Sequence, residues 1–531
     1  MVLFVTLFLP ACRTSLLEGE CGSDKPCRES ADPCLANVCT PSLHCLSMPA
    51  REGLSCGPPS DCRSAHACLM GQCVVVAATD GMECAPANPC RDQGTCLSGI
   101  CQTPASRPFA EPIWTRMPIR KDGPLSPIAT DDIGNFYWQE CQQIGNCAGA
   151  FLVSTDASGL IRFRPAVNGG AAPIIANNLI VRAGSCYRDI GNNLHDGFVE
   201  ARSTLDGELR WTLDLGGLLP PPPGTSCRSA ATDIVFDGTN LYALIGIVPT
   251  TSVNGTSKLI ALDPATGSVL WAKPRDGYWN WGGTLELIGD GRDNLYYRSD
   301  SSTIITGSDG RERGQLAYLD FLGAVFETRL LGVSFATGDG KMHFVYDAYD
   351  APHQTLVYRL QPRQIRAMPL VAPLLGVGAG YAFDSGVDYQ PGEAIVSFDP
   401  LLGNARFRTP LDLDGHAAAG TDMVLTARDS LLFVQEEFTT CDDQRCDYVG
   451  AHLREFSTAG TAQWTCALPL DEYRYPSIFE MGTLALGRGV VAIAGGDGAV
   501  RAYRVTGAVP AKSGWTGARG NMQRSGRPDR D

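Results

Sequence analysis

Residues 259–271 read LIALDPATGSVLW. An apolar run reaches Asp263-Pro264, a turn closes at Thr266-Gly267, and a second extended run ends on Trp271. Asp at the start of such a turn accepts backbone N–H bonds, and Gly supplies a backbone conformation that other residues resist, so the stretch predicts two antiparallel strands. One hairpin decides nothing. This one recurs as VSTDASGLIRF at 153–163, ARSTLDGELRW at 201–211, VSFDPLLGNARF at 396–407 and REFSTAGTAQW at 454–464. Fainter copies lie around Asp309-Gly310, Leu360–Ile365 and Arg504–Val509. The turn centres fall near residues 157, 206, 265, 309, 362, 401, 459 and 507, roughly 39 to 59 residues apart.

Between these copies lie further alternating runs, such as TDIVFDGTNLYALIGI at 232–247, GTLELIGDGRDNLYYRS at 283–299 and TDMVLTARDSLLFVQEEF at 421–438. Each unit then holds two hairpins, or four short antiparallel strands. A repeat of this length and content predicts an all-β fold, an eight-bladed β-propeller of four-stranded blades, because closure into a ring hides the interior sheet edges. The domain is expected over residues 111–527, after the Pro-containing boundary QTPASRPFA at 102–110. Phe163, Trp211, Trp271, Phe407 and Trp464 stand at equivalent strand ends, where a large ring can lie against the next blade.

The 531 residues are 44% hydrophobic and 19% charged, enough to build a large core. The net charge of −14, with no block of Lys and Arg, argues against a nucleic-acid partner. Residues 1–11, MVLFVTLFLPA, are too short to span a bilayer, which takes about 20 residues. They read as a signal peptide, and Leu9-Pro10-Ala11-Cys12 resembles the bacterial lipoprotein signal. That resemblance makes Cys12 the lipidated residue, residues 12–20 a tether, and the lipid the sole membrane attachment.

Of 21 cysteines, fourteen precede residue 102, a density that reducing compartments rarely keep. Cys56, Cys62, Cys68 and Cys73 recur 28 residues later as Cys84, Cys90, Cys96 and Cys101, and Cys27, Cys34, Cys39 and Cys45 form a looser first copy. Residues 21–104 therefore read as a small disulfide-rich repeat region, in which cross-links take the place of a large core. The pairing within each copy stays open among three connectivities. Zinc fits poorly, since the spacings exceed those of zinc pairs and no histidine is in register. Cys141–Cys147 and Cys441–Cys446 read as loop staples, Cys186 and Cys227 as a bridge between neighbouring blades, and Cys21 with Cys466 as a link from the repeat region to the propeller. The region is similar to the short cysteine-rich repeats of secreted proteins of myxobacterial type.

The blade repeat resembles the PQQ-type repeat, with Leu259–Trp271 its best copy, and WTGARGNMQRSG at 515–526 is similar to the segment that accompanies such propellers. The likeness spans roughly residues 110–527. It implies one of two kinds of relative: quinone-dependent alcohol dehydrogenases, or the cofactor-free, lipid-anchored outer-membrane lipoprotein of the barrel assembly machinery. A dehydrogenase of the first kind needs a quinone, a Ca²⁺ with oxygen ligands, and a carboxylate base, and it carries adjacent bonded cysteines. This chain has no Cys-Cys pair, and its nearest ligand set, Asn280, Glu286 and Asp300, follows as readily from ordinary loops. Catalytic residues, metal ligands and cofactors are accordingly expected to be none.

Tyr278, Trp279 and Trp281 form the densest aromatic cluster and the candidate binding surface. The expected function is a non-catalytic scaffold at the outer membrane or cell surface that binds an envelope or extracellular protein through propeller loops. The alternatives are a PQQ- and calcium-dependent oxidoreductase and a carbohydrate-binding surface protein.

Overall fold

In the computed structural model the described residues are the strand Leu16–Glu20 and most of residues 34–511; segments 1–15, 21–33, 119–125, 142–149, 220–228, 248–256, 276–286, 361–369, 385–393, 439–447, 470–483 and 512–531, with shorter pieces, lie outside them. The chain divides into two compact units, Met1–Arg107 and Pro108–Asp531.

The first unit is a stack of hairpins. Leu35–Cys39 pairs with His44–Pro49, Ser64–Leu69 with Gln72–Ala77, and Gly94–Leu97 with Ile100–Gln102. Two kinds of disulfide alternate along it. Cys56–Cys73 and Cys84–Cys101 close loops of 17 residues within a repeat, whereas Cys34–Cys68 and Cys62–Cys96 reach 34 residues into the next repeat. The 28-residue sequence repeat is thus also a repeat of connectivity. Gly71, at φ +77°, lies against Leu35 and Pro49 of the preceding repeat.

The second unit is built from consecutive antiparallel sheets. The first holds Ala129–Thr130, Phe136–Cys141, Ala150–Thr155 and Ile161–Phe163, with Ala166–Val167 also against its third strand. Six four-stranded sheets follow, starting at Ile174, Ser229, Leu287, Phe321, Leu370 and Ala417. The last combines Leu484–Leu486, Val490–Ala494 and Val500–Arg504 with Trp114–Arg116, a strand from the beginning of the unit.

Burial follows position in the sheet. Ser257–Leu262, a third strand, is almost wholly buried, while its partner Val269–Arg275 is mostly exposed. The core runs between sheets. Ile128, Phe136, Trp138 and Val153 of the first sheet share one cluster with Val490, Ala492, Val500 and Ala502 of the last. Across that same boundary the Thr130 hydroxyl donates to Leu486 O at 3.2 Å.

The quoted hairpin folds as its residues require. Asp263 Oδ1 accepts the N–H groups of Ala265 at 2.7 Å and Thr266 at 3.1 Å, and Gly267 closes the turn at φ +71°. Asp399 repeats this with Leu401 and Leu402, ahead of Gly403 at φ +75°. The fifth copy needs correction. Its turn is Ala351–Gln354, and Thr355–Leu360 is the strand that follows, so the centre near residue 362 was displaced. That turn has no glycine; Gln354 takes the positive φ of 54° instead, and no tryptophan marks the strand end.

Candidate functional site

Antiparallel order puts two tight turns of each sheet at one end, and the connections from second to third strand and from sheet to sheet at the other. The tight-turn end is closed by its own hydrogen bonds. Asp290 Oδ1 accepts the N–H groups of Arg292, Asp293 and Asn294, and Oδ2 accepts the Asn294 amide, so the oxygen-rich stretch 289–294 serves its own turn. Tyr137 and Tyr242 donate their hydroxyls to Asp131 and Asp237, each at 2.7 Å. Burial, with the neighbouring aspartate, pushes both phenols well above their usual range.

The aromatics at the fourth-strand ends dock on the next sheet's tight turn. Trp211 Nε1 donates to Pro264 O and Trp271 Nε1 to Ser308 O, both at 2.8 Å. Phe163 and Phe407 lie against Gly207 and Gly460. Trp464 differs, donating to the Glu455 carboxylate of its own sheet. Two locks escaped the sequence reading. Tyr358 donates to Pro400 O at 2.8 Å and covers Gly403; Trp114 donates to Ala157 O at 3.0 Å and covers Gly159. Tyr358 could have been found by aligning on the aromatic rather than on the turn. Trp114 follows no turn of its own, so no repeat marks it.

At the opposite end the sheets hold buried charge. Arg182 is fully buried and donates to Glu200 at 2.6 Å, to Asn168 O at 2.5 Å, and to Gln139 of the neighbouring sheet. Glu200 also accepts from Arg202 at 3.0 Å, and Arg164 pairs with Glu140 at 2.5 Å. Burial, only partly offset by Glu200, lowers the Arg182 guanidinium to about 10. In the seventh sheet Arg454 bonds Leu411 O at 3.1 Å, the Thr465 hydroxyl at 3.1 Å and the Gln435 side chain. His452 Nδ1 lies 3.3 Å from Glu437, and burial followed by the Arg454 charge lowers its pKa.

Tyr278, Trp279, Asn280, Trp281, Glu286 and Asp300 lie outside the described residues, as do Cys12, Cys21, Cys27, Cys147, Cys186, Cys227, Cys441 and Cys446. The two anchors of segment 276–286 are described. Arg275 is 7% exposed, with its guanidinium 5.8 Å from the Tyr297 ring centroid, and Leu287 N donates to the buried Asp233 at 3.1 Å.

Sulfur atoms of Cys34, Cys56 and Cys73 cluster, as do those of Cys62, Cys84 and Cys96. All six are in disulfides and are not thiolate ligands. Cys39, Cys45, Cys90, Cys141 and Cys466 are also disulfide-bonded.

A family model described as outer membrane protein assembly factor BamB matches residues 146–278. No curated protein matches the chain. Among solved structures, a europium-containing methanol dehydrogenase is 11% identical, covering 72% of this chain and 84% of its own, at a TM-score of 0.38. The WD40 domain of SCAP from fission yeast is 9% identical, over 74% and 97%, at 0.43. The rhamnogalacturonan lyase YesW is 12% identical, over 92% of each chain, at 0.44. The chain carries a β-propeller-like domain, of BamB type over part of its length, preceded by a disulfide-rich region.

Proposed function

We propose that this protein is a non-catalytic, lipid-anchored scaffold of the cell envelope, in which eight sheets close as an eight-bladed propeller and present their long connections to a protein partner. The observation that carries this reading is the seam. Trp114–Arg116 completes the last sheet, and Trp114 locks onto the Ala157–Gly159 turn of the first. A ring fastened by its own first strand is a rigid platform for binding segments. The partial match to an outer-membrane assembly factor supports an envelope location, and the Leu9–Cys12 motif supports attachment by lipid.

The test is site-specific photo-crosslinking in intact cells with the probe at Trp279. A single discrete adduct with an envelope protein, abolished by Tyr278→Ala with Trp281→Ala, is expected. Saturable PQQ binding in the presence of Ca²⁺, with dye-linked alcohol oxidation, would overturn the scaffold reading. Incorporation of labelled palmitate that disappears in Cys12→Ser tests the anchor.

A further inference from the structure

The three hairpins of the cysteine-rich unit treat their outer edges differently. In the first, the edge of His44–Pro49 is covered by Leu16–Glu20, with Leu16 opposite Leu46 and Leu17 opposite Cys45. In the third, the equivalent strand Ile100–Gln102 has three residues and is followed by Pro104. In the second, Gln72–Ala77 has six residues and pairs, among the described residues, with Ser64–Leu69 alone. The far side of that hairpin is engaged, since Cys56 N donates to His66 O at 3.4 Å.

The sequence of this edge, QCVVVA, contains no charge and no proline. Exposed edges are ordinarily blunted by such residues. The outer strands of the large unit follow that rule with Arg162, Arg210, Lys273, Arg313 and Arg406. Its uncharged outer strand, Ala462–Leu468, receives a bond at its edge from Ala110 N to Ala467 O at 2.7 Å.

Geometry fixes what the second hairpin offers. Met70 and Gly71 both have positive φ, at 49° and 77°, so the turn is a two-residue one and Leu69 and Gln72 form its closing bonded pair. Alternation from there turns the backbone groups of Val74 and Val76 towards Ala67 and Ala65, and those of Cys73, Val75 and Ala77 outward. Val75 is 67% exposed.

We propose that this edge is a homodimerisation strand. Gln72–Ala77 of one chain pairs antiparallel with the same strand of a second copy, Val75 opposite Val75 on the two-fold axis and Cys73 opposite Ala77. A two-fold contact requires a self-complementary surface. This strand reads almost the same in both directions and carries no charge to repel its copy. Cys73, Val75 and Ala77 each gain a donor and an acceptor, and β-branched side chains meet across the new ladder, a favourable cross-strand pair. The first hairpin supplies the precedent within the molecule, since its corresponding edge accepts an extended segment, Leu16–Glu20.

Sedimentation velocity on the purified full chain, from nanomolar to high micromolar, tests this. The expected result is a concentration-dependent dimer whose mass falls twofold in Val75→Lys and persists in Val75→Thr and in the control Val38→Lys. Hydrogen exchange should show the Cys73, Val75 and Ala77 amides slowed in the dimer, which decides the matter even if Val75→Lys fails to form its disulfides. A monomer at every concentration, a dimer indifferent to Val75→Lys, or protection of these amides only by a different polypeptide would overturn the proposal.

Discussion

Trp211 lies flat over Gly267 of the next sheet, so close that a Cβ on that glycine would come within 2.5 Å of the indole, while the indole N–H bonds Pro264 O in the same turn. Two sheets are thereby fastened by one side chain and one missing methyl group. Gly267→Ala meets both the ring and an unfavourable φ of +71°. It should cost about 1–3 kcal/mol in chemical denaturation. Gly217→Ala, where a Cβ meets nothing within 4 Å, is the control and should change stability little.

Trp271→Phe keeps a ring over Gly310 but removes the bond to Ser308 O. A loss of about 1 kcal/mol is expected from the bond alone. Trp271→Ala should cost roughly 3–5 kcal/mol by removing the packing as well. Equal losses in the two variants would show that the ring contributes nothing at this joint.

Arg182 and Glu200 form a fully enclosed pair. Arg182→Met leaves the Glu200 carboxylate with Arg202 as its partner and should destabilise by roughly 1–3 kcal/mol, while the double variant Arg182→Met, Glu200→Leu should recover part of that loss. Urea unfolding of the four members of this cycle measures the coupling.

Acid should weaken the large unit through its turn carboxylates. Asp293 is held below the usual range by the Ser308 hydroxyl and by Arg313, and Asp206 by the Glu208 N–H and the Ser203 hydroxyl. At Asp399 burial acts upward but is outweighed by the Leu401 and Leu402 N–H groups. A folded pKa below the unfolded one adds stability that is complete at neutral pH and lost as pH falls through the folded value, here below about 4. Melting temperatures measured from pH 7 to pH 3 should hold steady to about pH 5 and then drop, and Asp399→Asn should reduce that drop.

The inter-repeat disulfides should stabilise the first unit more than the intra-repeat ones. Cys62–Cys96 closes a loop of 34 residues and Cys84–Cys101 one of 17. Loop-closure entropy favours the longer by only about 0.6 kcal/mol, out of roughly 3–4 kcal/mol each. Joining two hairpins adds a cooperative effect. Replacing Cys62 and Cys96 by Ser should therefore expose backbone amides in both flanking repeats to hydrogen exchange, whereas replacing Cys84 and Cys101 should expose those of one.

The sequence by itself determined what is local. The Asp-to-Gly turns are set by residues a few positions apart and the 28-residue cysteine period stands in the chain itself, so Asp263, Gly267 and Trp271 declare their hairpin without any neighbour. Only the tertiary structure decided the rest. Cys68 and Cys73 stand opposite each other in one hairpin, yet bond Cys34 and Cys56 instead, because their partners are supplied by chain far away in sequence. The seam is of the same kind. Trp114 pairs with Ala502 and docks at Ala157, and no periodicity connects those three positions. Their meeting depends on where hundreds of intervening residues leave the two ends of the unit, and on the apolar surface of the first and last sheets being buried against each other.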